Sequence, residues 1–372
     1  MIPLSLYVHF PWCLRKCPYC DFNSHPVHGD IPENDYLAAL IRDLDRIAGN
    51  AQSRPLASIF IGGGTPSLLS PVAVDRLLSA VRDRLPLADA AEITLEANPG
   101  AIEAGKFAAY RQAGVTRLSI GIQSFEDRLL AAIGRIHSAA DALRAVEQAQ
   151  RAFDRVNLDL MYALPGQTLA DLDRDLDRAL SLGVGHVSAY HLTIEPNTAF
   201  GNAPPTLPDE DLAADMQEHV EARLAVDGFR HYETSAFARD GQLCRHNLNY
   251  WTFGDYLGIG AGAHAKVSRD GTVTREARCK HPGDYMRRSD PVDERRVVTS
   301  DELAGEFMMN ALRLIDGFPA SLFEERTGLA LDCIAGTLRT ASDDGLLVVS
   351  ESHIAPTLLG QRHLNALISR FL

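Results

Sequence analysis

The sequence lacks any run of about 18 consecutive apolar residues, the length that a membrane-spanning helix needs. Basic residues are also in the minority, because 36 Lys and Arg stand against 49 Asp and Glu and leave a net charge of −13. This shortage of positive charge disfavours nucleic acid as a partner. The first ten residues, MIPLSLYVHF, contain no basic residue and are not expected to form a signal peptide.

Cysteine is scarce as well, with six in 372 residues, and its distribution does not indicate a disulfide framework. Cys244, Cys279 and Cys333 are scattered along the chain. We therefore expect a reducing compartment, the cytoplasm. The hydrophobic content of 46% and the charged content of 23% are ordinary for a globular enzyme of this size.

The other three cysteines, Cys13, Cys17 and Cys20, stand together in the run HFPWCLRKCPYCDFNSH. The spacing C-x3-C-x2-C favours an iron–sulfur cluster. Three thiolates hold three irons of a [4Fe–4S] cube and leave the fourth open to a non-protein ligand, much as a catalytic zinc site keeps one position free. A zinc site completed by Asp21 or His25, or simply free thiols, are the alternative interpretations.

Strand-like and helix-like segments alternate over the first half of the chain, which predicts parallel βαβ units. The predicted strands are Leu4–Phe10, Ser58–Gly62, Glu92–Asn98, Arg117–Ile122, Val156–Met161 and His186–Leu192; the predicted helices are Asn34–Ala48, Pro71–Leu85, Ala101–Ala113, Ala139–Phe153 and Leu169–Ser181. Six units are two short of a closed eight-fold barrel. We expect an α/β fold, a partial (β/α)6 barrel with a side entrance.

Polar or glycine residues follow or end each predicted strand. They are the run Gly62–Pro66 after the second strand, Glu96 on the third, Gln123 on the fourth, Asp159 on the fifth, and Tyr190 and His191 on the sixth. Alone, a glycine run is typical of a turn and an Asp or Gln is typical of a helix cap. On one rim with the cysteine loop, where barrel enzymes place their chemistry, they predict a ligand site.

Six motifs together resemble one known family. They are YVHFPWC with the following cysteines, GGGTP, ITLEANPG, RLSIGIQSF, GR-x-H and LDLMYALPGQT, and they cover nearly the whole chain. The chain resembles the radical S-adenosylmethionine (SAM) family of oxygen-independent coproporphyrinogen III oxidase-like proteins, most closely the HemW heme chaperones. The resemblance implies that SAM chelates the open iron and is cleaved by one electron to a 5′-deoxyadenosyl radical.

The resemblance also implies a set of SAM contacts. Tyr7 and Tyr19 would pack near the cluster, Gly63, Gly64 and Thr65 would meet the SAM amino group, Glu96 would take the ribose hydroxyls, and Gln123, Arg135 and Asp159 would complete the pocket. The sulfonium, the ammonium and the ribose diol of SAM suit carboxylate and amide oxygens. Arg135 could pair with the SAM carboxylate, or else form a surface salt bridge.

Two departures separate this chain from the oxidase pattern. The oxidase resembles C-x3-C-x2-C-x-C, whereas Phe22 stands here at the position of the fourth cysteine, and only twelve residues precede Cys13. A third feature is positive: His246, Asn247, Tyr250 and Trp251 form an H-N-x-x-Y-W pattern that resembles the HemW signature.

The H-N-x-x-Y-W residues suit heme chemically. A neutral imidazole is a good axial ligand for heme iron, and Tyr and Trp offer flat apolar faces to a porphyrin. His231, His264 and His281 are further candidates for the ligand. The alternative is that Tyr250 and Trp251 belong to the core and that His246 is a hydrogen-bonded structural residue.

Two functions follow from the resemblance. In the first, the protein is a chaperone that binds a [4Fe–4S] cluster, SAM and heme, and passes heme to a recipient such as a respiratory enzyme, which could be membrane-associated. In the second, it is the oxidase, which decarboxylates two propionates of coproporphyrinogen III to give protoporphyrinogen IX. Phe22 and the H-N-x-x-Y-W pattern favour the first function.

Three regions are expected: a radical SAM partial barrel over 1–235, a connecting segment over 236–298, and a winged-helix-like domain over 299–372. The connecting segment holds the H-N-x-x-Y-W pattern, a glycine-rich run at Phe253–Lys266 that should bring backbone close to the cavity, and a turn-like linker at Pro282–Pro291. The last region should contain helices at Asp301–Leu314, Pro319–Thr327, Leu331–Asp343 and Thr357–Arg370 and a hairpin of Gly345–Val349 with His353–Ala355. Its ten acidic residues against five arginines disfavour DNA binding.

Overall fold

Six parallel strands form the centre of the fold in a computed structural model that describes residues 1–100 and 104–372. They are β1 (Leu4–Phe10), β2 (Leu56–Gly63), β3 (Leu87–Ala97), β4 (Arg117–Gln123), β5 (Val156–Tyr162) and β6 (His186–His191). Each strand pairs with the next in chain order. The predicted partial barrel of six βα units is confirmed.

Helices cover the outer face of these strands. They are α1 (Glu33–Ile47), α2 (Pro71–Arg84), α3 (Phe107–Ala113), α4 (Asp127–Ala132), α5 (Ala139–Ala152), α6 (Leu169–Ser181), α7 (Ala199–Asn202) and α8 (Glu210–Val226). The helix predicted over 101–113 is described from Phe107, and its first three residues lie outside the described residues. In α1, buried Leu37, Leu40 and Leu44 recur at helical spacing, which turns one apolar face toward the sheet.

Alternation along the strands separates an apolar outer layer from a polar interior. Leu4, Leu6, Val8 and Phe10 of β1 are buried in the same core cluster as the apolar face of α1. Because successive side chains of a strand point to opposite faces, the intervening residues point into the barrel. The interior is therefore available for polar chemistry.

Further strands extend the sheet at both edges, so that it stays open. They are β7 (Arg230–Glu233) and β8 (Ala236–Ala238) beside β6, and β9 (Asp255–Ile259), β10 (His264–Arg269), β11 (Thr272–Arg278) and β12 (Val292–Val297) beside β1. Helix α9 (Arg245–Trp251) lies between the two sets in sequence. The segment Pro282–Pro291, expected to be a linker, instead contains helix α10 (Pro282–Arg287), which begins with a proline that the first turn of a helix tolerates.

The C-terminal region has its own core and a small sheet. Its elements are α11 (Ser300–Ala311), β13 (Phe318–Pro319), α12 (Ser321–Thr327), α13 (Ala335–Asp343), β14 (Leu347–Val349), β15 (His353–Pro356), α14 (Leu358–Arg362) and α15 (Leu364–Ser369). Thr299 caps α11 through a reciprocal pair of hydrogen bonds with Glu302, as a capping box does. The single helix predicted over Thr357–Arg370 is two helices separated by His363.

A buried ion cluster fixes the start of β9. The carboxylate of Asp255 accepts hydrogen bonds from Arg54 Nη1 at 2.7 Å and from Lys266 Nζ at 3.0 Å, and both of its partners are buried. Ser268 donates two further hydrogen bonds to it. This ion cluster joins Arg54, which precedes β2, to the extension formed by β9 and β10.

Replacing Asp255 with Asn should destabilise the protein by about 3–5 kcal/mol, because two cations would remain buried without their carboxylate. Urea unfolding followed by circular dichroism measures the change. Asp270→Asn is the matched control, since Asp270 pairs with Arg269 at a side chain that is 91% exposed. The control should stay within about 0.5 kcal/mol of the wild type. Equal midpoints for both variants would show that the cluster contributes no net stability.

Candidate cofactor site

The cysteine loop follows β1 and lies over the mouth of the barrel. Cys13 belongs to a short parallel pair in which Trp12–Cys13 runs beside His25–Pro26, and the amide of Cys20 donates to the carbonyl of Cys17 at 3.1 Å. The three thiols line one cavity with a volume of about 420 Å³. This cavity, called the cluster cavity below, is also lined by residues of β2 to β6.

The chemistry of the three thiols fits an iron–sulfur cluster. Burial raises the pKa of the Cys13 thiol to about 11, and the neighbouring Cys20 and Cys17 add to that shift, so its thiolate needs a compensating cation such as iron. Arg135 Nη1 donates to Cys17 Sγ at 3.6 Å and so holds this thiol at the cavity. A [4Fe–4S] cube takes one cysteine per iron, so the three sulfurs need only face the same cavity. Within residues 1–100 and 104–372, no three His, Cys, Asp or Glu side chains lie close enough together to hold a single metal ion.

Twelve of the residues predicted for cofactor binding line the cluster cavity. They are Cys13, Cys17, Tyr19, Cys20, Gly63, Gly64, Thr65, Glu96, Gln123, Arg135, Asp159 and Asn247. Strand ends that are far apart in sequence supply them, as the parallel arrangement predicts. Their individual roles toward SAM remain predictions.

The amide groups of the GGGTP segment bind other parts of the protein. The N–H of Gly63 donates to Glu96 Oε2 at 3.0 Å. Gly64 donates to the carbonyl of Phe10, and Thr65 to the carbonyl of Trp12, each at 2.7 Å. A Cβ on Gly64 would lie 2.5 Å from the Trp12 carbonyl oxygen. The glycines therefore bind the end of β2 to the cysteine loop.

Three carboxyl groups line the cluster cavity, and two of them, Glu96 and Asp159, are buried. Burial, followed by the charge of Asp159, raises the pKa of Glu96 to about 8. Burial also raises the pKa of Asp159, although Asn157 donates to it at 2.8 Å and Ser119 at 3.2 Å. Burial disfavours the ionised form of both acids, and a cationic ligand would favour that form. A sulfonium is such a ligand.

Arg135 is held by the protein itself. Its Nη2 donates to Asn98 Oδ1 at 2.8 Å and to the carbonyl of Gly121 at 2.7 Å, and its Nε is buried without a hydrogen-bond partner. Because Nη1 also donates to Cys17 Sγ, Arg135 does not form the surface salt bridge that was the alternative interpretation. The guanidinium supports the cysteine loop and still faces the cavity.

Several polar residues of the cavity were not predicted from the sequence. The cavity is also lined by Arg117, Ser119, Asn157, Ser188 and Asn98. The signal was present, because these residues stand at every second position of β4, β5 and β6 in register with residues that were identified. In an otherwise apolar strand, such alternation indicates a polar barrel interior.

The H-N-x-x-Y-W residues separate in the structure. His246 is buried in α9, where its ring stacks on Phe60 at 4.9 Å and its Nδ1 lies 3.1 Å from Ser58 Oγ. Burial lowers the pKa of His246 to about 3, and its ring lines none of the described cavities. Trp251 packs against the C-terminal core. A heme-ligand role for His246 stays a prediction, and the position of the ring does not favour it.

A second cavity, of about 650 Å³, adjoins the cluster cavity and is called the side cavity here. It is lined by Tyr7, His9, Lys16, Asp21, Phe22, Asn23, Ser24, His25, Gly63, Glu96, Tyr250, Tyr256, Gly262, His264 and Lys280. The predicted residues Tyr7 and Tyr250 lie here rather than in the cluster cavity. Gly262 belongs to the glycine-rich run, which therefore reaches a cavity as expected. Glu96 and Gly63 form part of the wall between the two cavities.

Two family models match the chain. The Radical SAM superfamily model matches residues 7–179, and the HemN C-terminal domain model matches residues 298–363. The first implies a [4Fe–4S] cluster and SAM as cofactors. No helix of the described residues is long and apolar enough to cross a membrane.

Curated relatives match over the whole length. The chain is 48% identical to "Heme chaperone HemW" of Escherichia coli and 46% identical to that of Haemophilus influenzae, in each case over 100% of this chain and 98% of the relative. It is 37% identical to "Heme chaperone HemW" of Bacillus subtilis, over 99% of both chains.

Among solved structures, coproporphyrinogen III oxidase (HemN) of E. coli matches with a TM-score of 0.84 over 100% of this chain and 90% of that chain, at 23% identity. A match at 23% identity shows only that the two proteins share the fold of the barrel and of the C-terminal region. The high identity to the curated relatives over full length decides the family. The chain belongs to the HemW family of the radical SAM superfamily.

Proposed function

We propose that this protein is a heme chaperone of the cytoplasm: it carries a [4Fe–4S] cluster and SAM in the cluster cavity, binds heme, and delivers heme to a recipient protein such as a respiratory enzyme. The observation that carries the proposal is the 48% identity to a heme chaperone over the entire chain. The oxidase matches at 23% identity, which supports a common fold only.

The residues of the cluster cavity suit the first two cofactors. When bound there, the reduced cluster would supply the one electron that cleaves the sulfonium of SAM. Glu96, Gln123 and Asp159 present oxygen acceptors to a cation with hydroxyl and ammonium groups. Arg135 donates a hydrogen bond to Cys17 Sγ at 3.6 Å and so positions this cluster ligand. The cavity thus supports SAM binding in either function, and the distinction depends on heme.

Heme binding and release test the proposal directly. Reconstituted protein is titrated with heme under anaerobic conditions, and the Soret band is followed. The heme-loaded protein is then mixed with the apo form of a b-type heme protein on a size-exclusion column. We expect a saturable Soret shift and movement of heme to the acceptor. A wild-type protein that binds no heme would refute the chaperone function.

Cys17→Ala should abolish cluster assembly, because three-thiolate ligation leaves no spare protein ligand. The measurement is iron and sulfide content after anaerobic reconstitution, together with visible absorption. Cys333→Ala is the matched control, since Cys333 is an exposed free thiol. The control should keep its full iron content. A cluster that survives in Cys17→Ala would contradict the assignment of the cysteine loop.

SAM affinity should rise with pH as Glu96 ionises. With its pKa raised to about 8 by burial, Glu96 is protonated below that pH, and SAM, a cation, favours the ionised carboxylate. Affinity should therefore increase from pH 6.5 through about pH 8 and then level off. Calorimetry on the cluster-loaded protein measures it.

Glu96→Gln should weaken SAM binding by about tenfold above pH 8, the scale of a lost hydrogen bond to a charged group, and should flatten the pH profile. Glu195→Gln, a change at a partly buried loop residue outside both cavities, is the control. A Glu96→Gln protein with the wild-type profile would assign the titration to another group.

A further inference from the structure

The side cavity combines three kinds of side chain. Its walls carry the aromatic rings of Tyr7, Tyr250 and Tyr256, with the Tyr250 and Tyr256 rings 4.5 Å apart in an edge-to-face arrangement. At its border with the cluster cavity stands Phe22, which is 60% exposed. A volume of about 650 Å³ lies within the usual range of about 300–1,000 Å³ for cofactor sites. An exposed aromatic beside an aromatic-walled cavity suits a flat apolar ligand.

Three histidines line the side cavity, and they differ in whether their ring nitrogens already have a hydrogen-bond partner. His9 has both ring nitrogens engaged, Nδ1 by the hydroxyl of Tyr7 at 2.9 Å and Nε2 by the carbonyl of Asn23 at 2.8 Å. His25 Nε2 lies 3.3 Å from Asn23 Oδ1. His264 is exposed, and its ring makes no hydrogen bond to any described residue.

The backbone holds His264 at the start of β10. A Cβ on Gly258 would lie 1.9 Å from the His264 carbonyl oxygen, so the neighbouring strand approaches closely only because it has glycine there. Burial, then the charges of Arg275 and Lys280, lower the pKa of His264. Both effects favour the neutral imidazole, the form that ligates metals.

Charged side chains of both signs complete the cavity: Lys16 and Lys280 line it together with Asp21 and Glu96. Lys280 is exposed at its edge and forms no ion pair with a described carboxylate. Lys16 Nζ donates to the carbonyls of Phe22 and Ser24 and lies on the cysteine-loop side. A ligand that fits all three features is flat, apolar on its faces, acidic at its edge and able to accept a neutral imidazole.

We propose that heme is bound in the side cavity, with His264 as the ligand to its iron, Phe22 against its ring and Lys280 beside a propionate carboxylate. The inference rests on the proposed chaperone function and names the heme site within it. His246 of the H-N-x-x-Y-W pattern then supports the barrel from within, while Tyr250 of the same helix contributes to the heme cavity.

Substitution of His264 tests the site through the spectrum of bound heme. In His264→Ala, heme affinity should fall at least about tenfold, because even indirect support of a metal ligand is worth about 10–100-fold. Electronic absorption and electron paramagnetic resonance should show loss of the imidazole ligand, and free imidazole should restore that signature in His264→Gly. His28→Ala, an exposed histidine on the cysteine-loop side that lines neither cavity, should bind heme as the wild type does.

His264→Tyr provides a second readout that does not depend on loss of binding. Tyrosine is itself a heme ligand, so this variant should show a tyrosinate-type spectrum in place of the imidazole type. Cluster content measured on each variant confirms that the barrel is intact.

The outcomes separate this inference from the proposed function. If wild type binds heme and both His264→Ala and His264→Tyr keep the wild-type spectrum and affinity, the side-cavity site is wrong and the chaperone function stands. Loss of the imidazole signature in His246→Ala alone would likewise overturn the site. If wild type shows no heme binding, the function itself fails.

Discussion

The rest of the site depends on the junction between the ends of β1 and β2. There the amides of Gly64 and Thr65 donate to the carbonyls of Phe10 and Trp12, each at 2.7 Å. Trp12 directly precedes Cys13. The contact requires glycine, because a Cβ on Gly64 would collide with the Trp12 carbonyl. These two hydrogen bonds fix where the cysteine loop leaves the barrel, and so where a cluster would meet the polar interior.

Below that junction, the open barrel keeps acidic groups buried at a cost in desolvation. Glu96 and Asp159 both have raised pKa values, and the amide of Gly63 and the side chains of Ser119 and Asn157 only partly compensate. A cationic ligand supplies the missing compensation, which is the electrostatic reason for this cavity to bind SAM. The side cavity is different: its walls are aromatic, its charges are of both signs, and Lys280 stands at its edge, so it suits a flat ligand with a carboxylate that reaches this lysine.

Much of this arrangement could be predicted from the sequence, because it follows from period-two strands and from cysteine spacing. The six parallel strands and the set of residues on their ends are local patterns. The direction of the GGGTP amides was not predictable, since it depends on the carbonyls of Phe10 and Trp12, some fifty residues earlier. The burial of His246 depends on which face of α9 packs on Phe60, a tertiary contact. The helix Pro282–Arg287 was missed because its polar residues resemble a turn.

The central claim is that a shared SAM cavity serves heme handling here rather than decarboxylation. The most direct test incubates anaerobic, cluster-reconstituted protein with SAM, a reductant and coproporphyrinogen III, and separates the porphyrins by chromatography. The account predicts unchanged coproporphyrinogen from a sample that still binds heme with a Soret shift. Formation of protoporphyrinogen would contradict it and assign the oxidase activity to this chain.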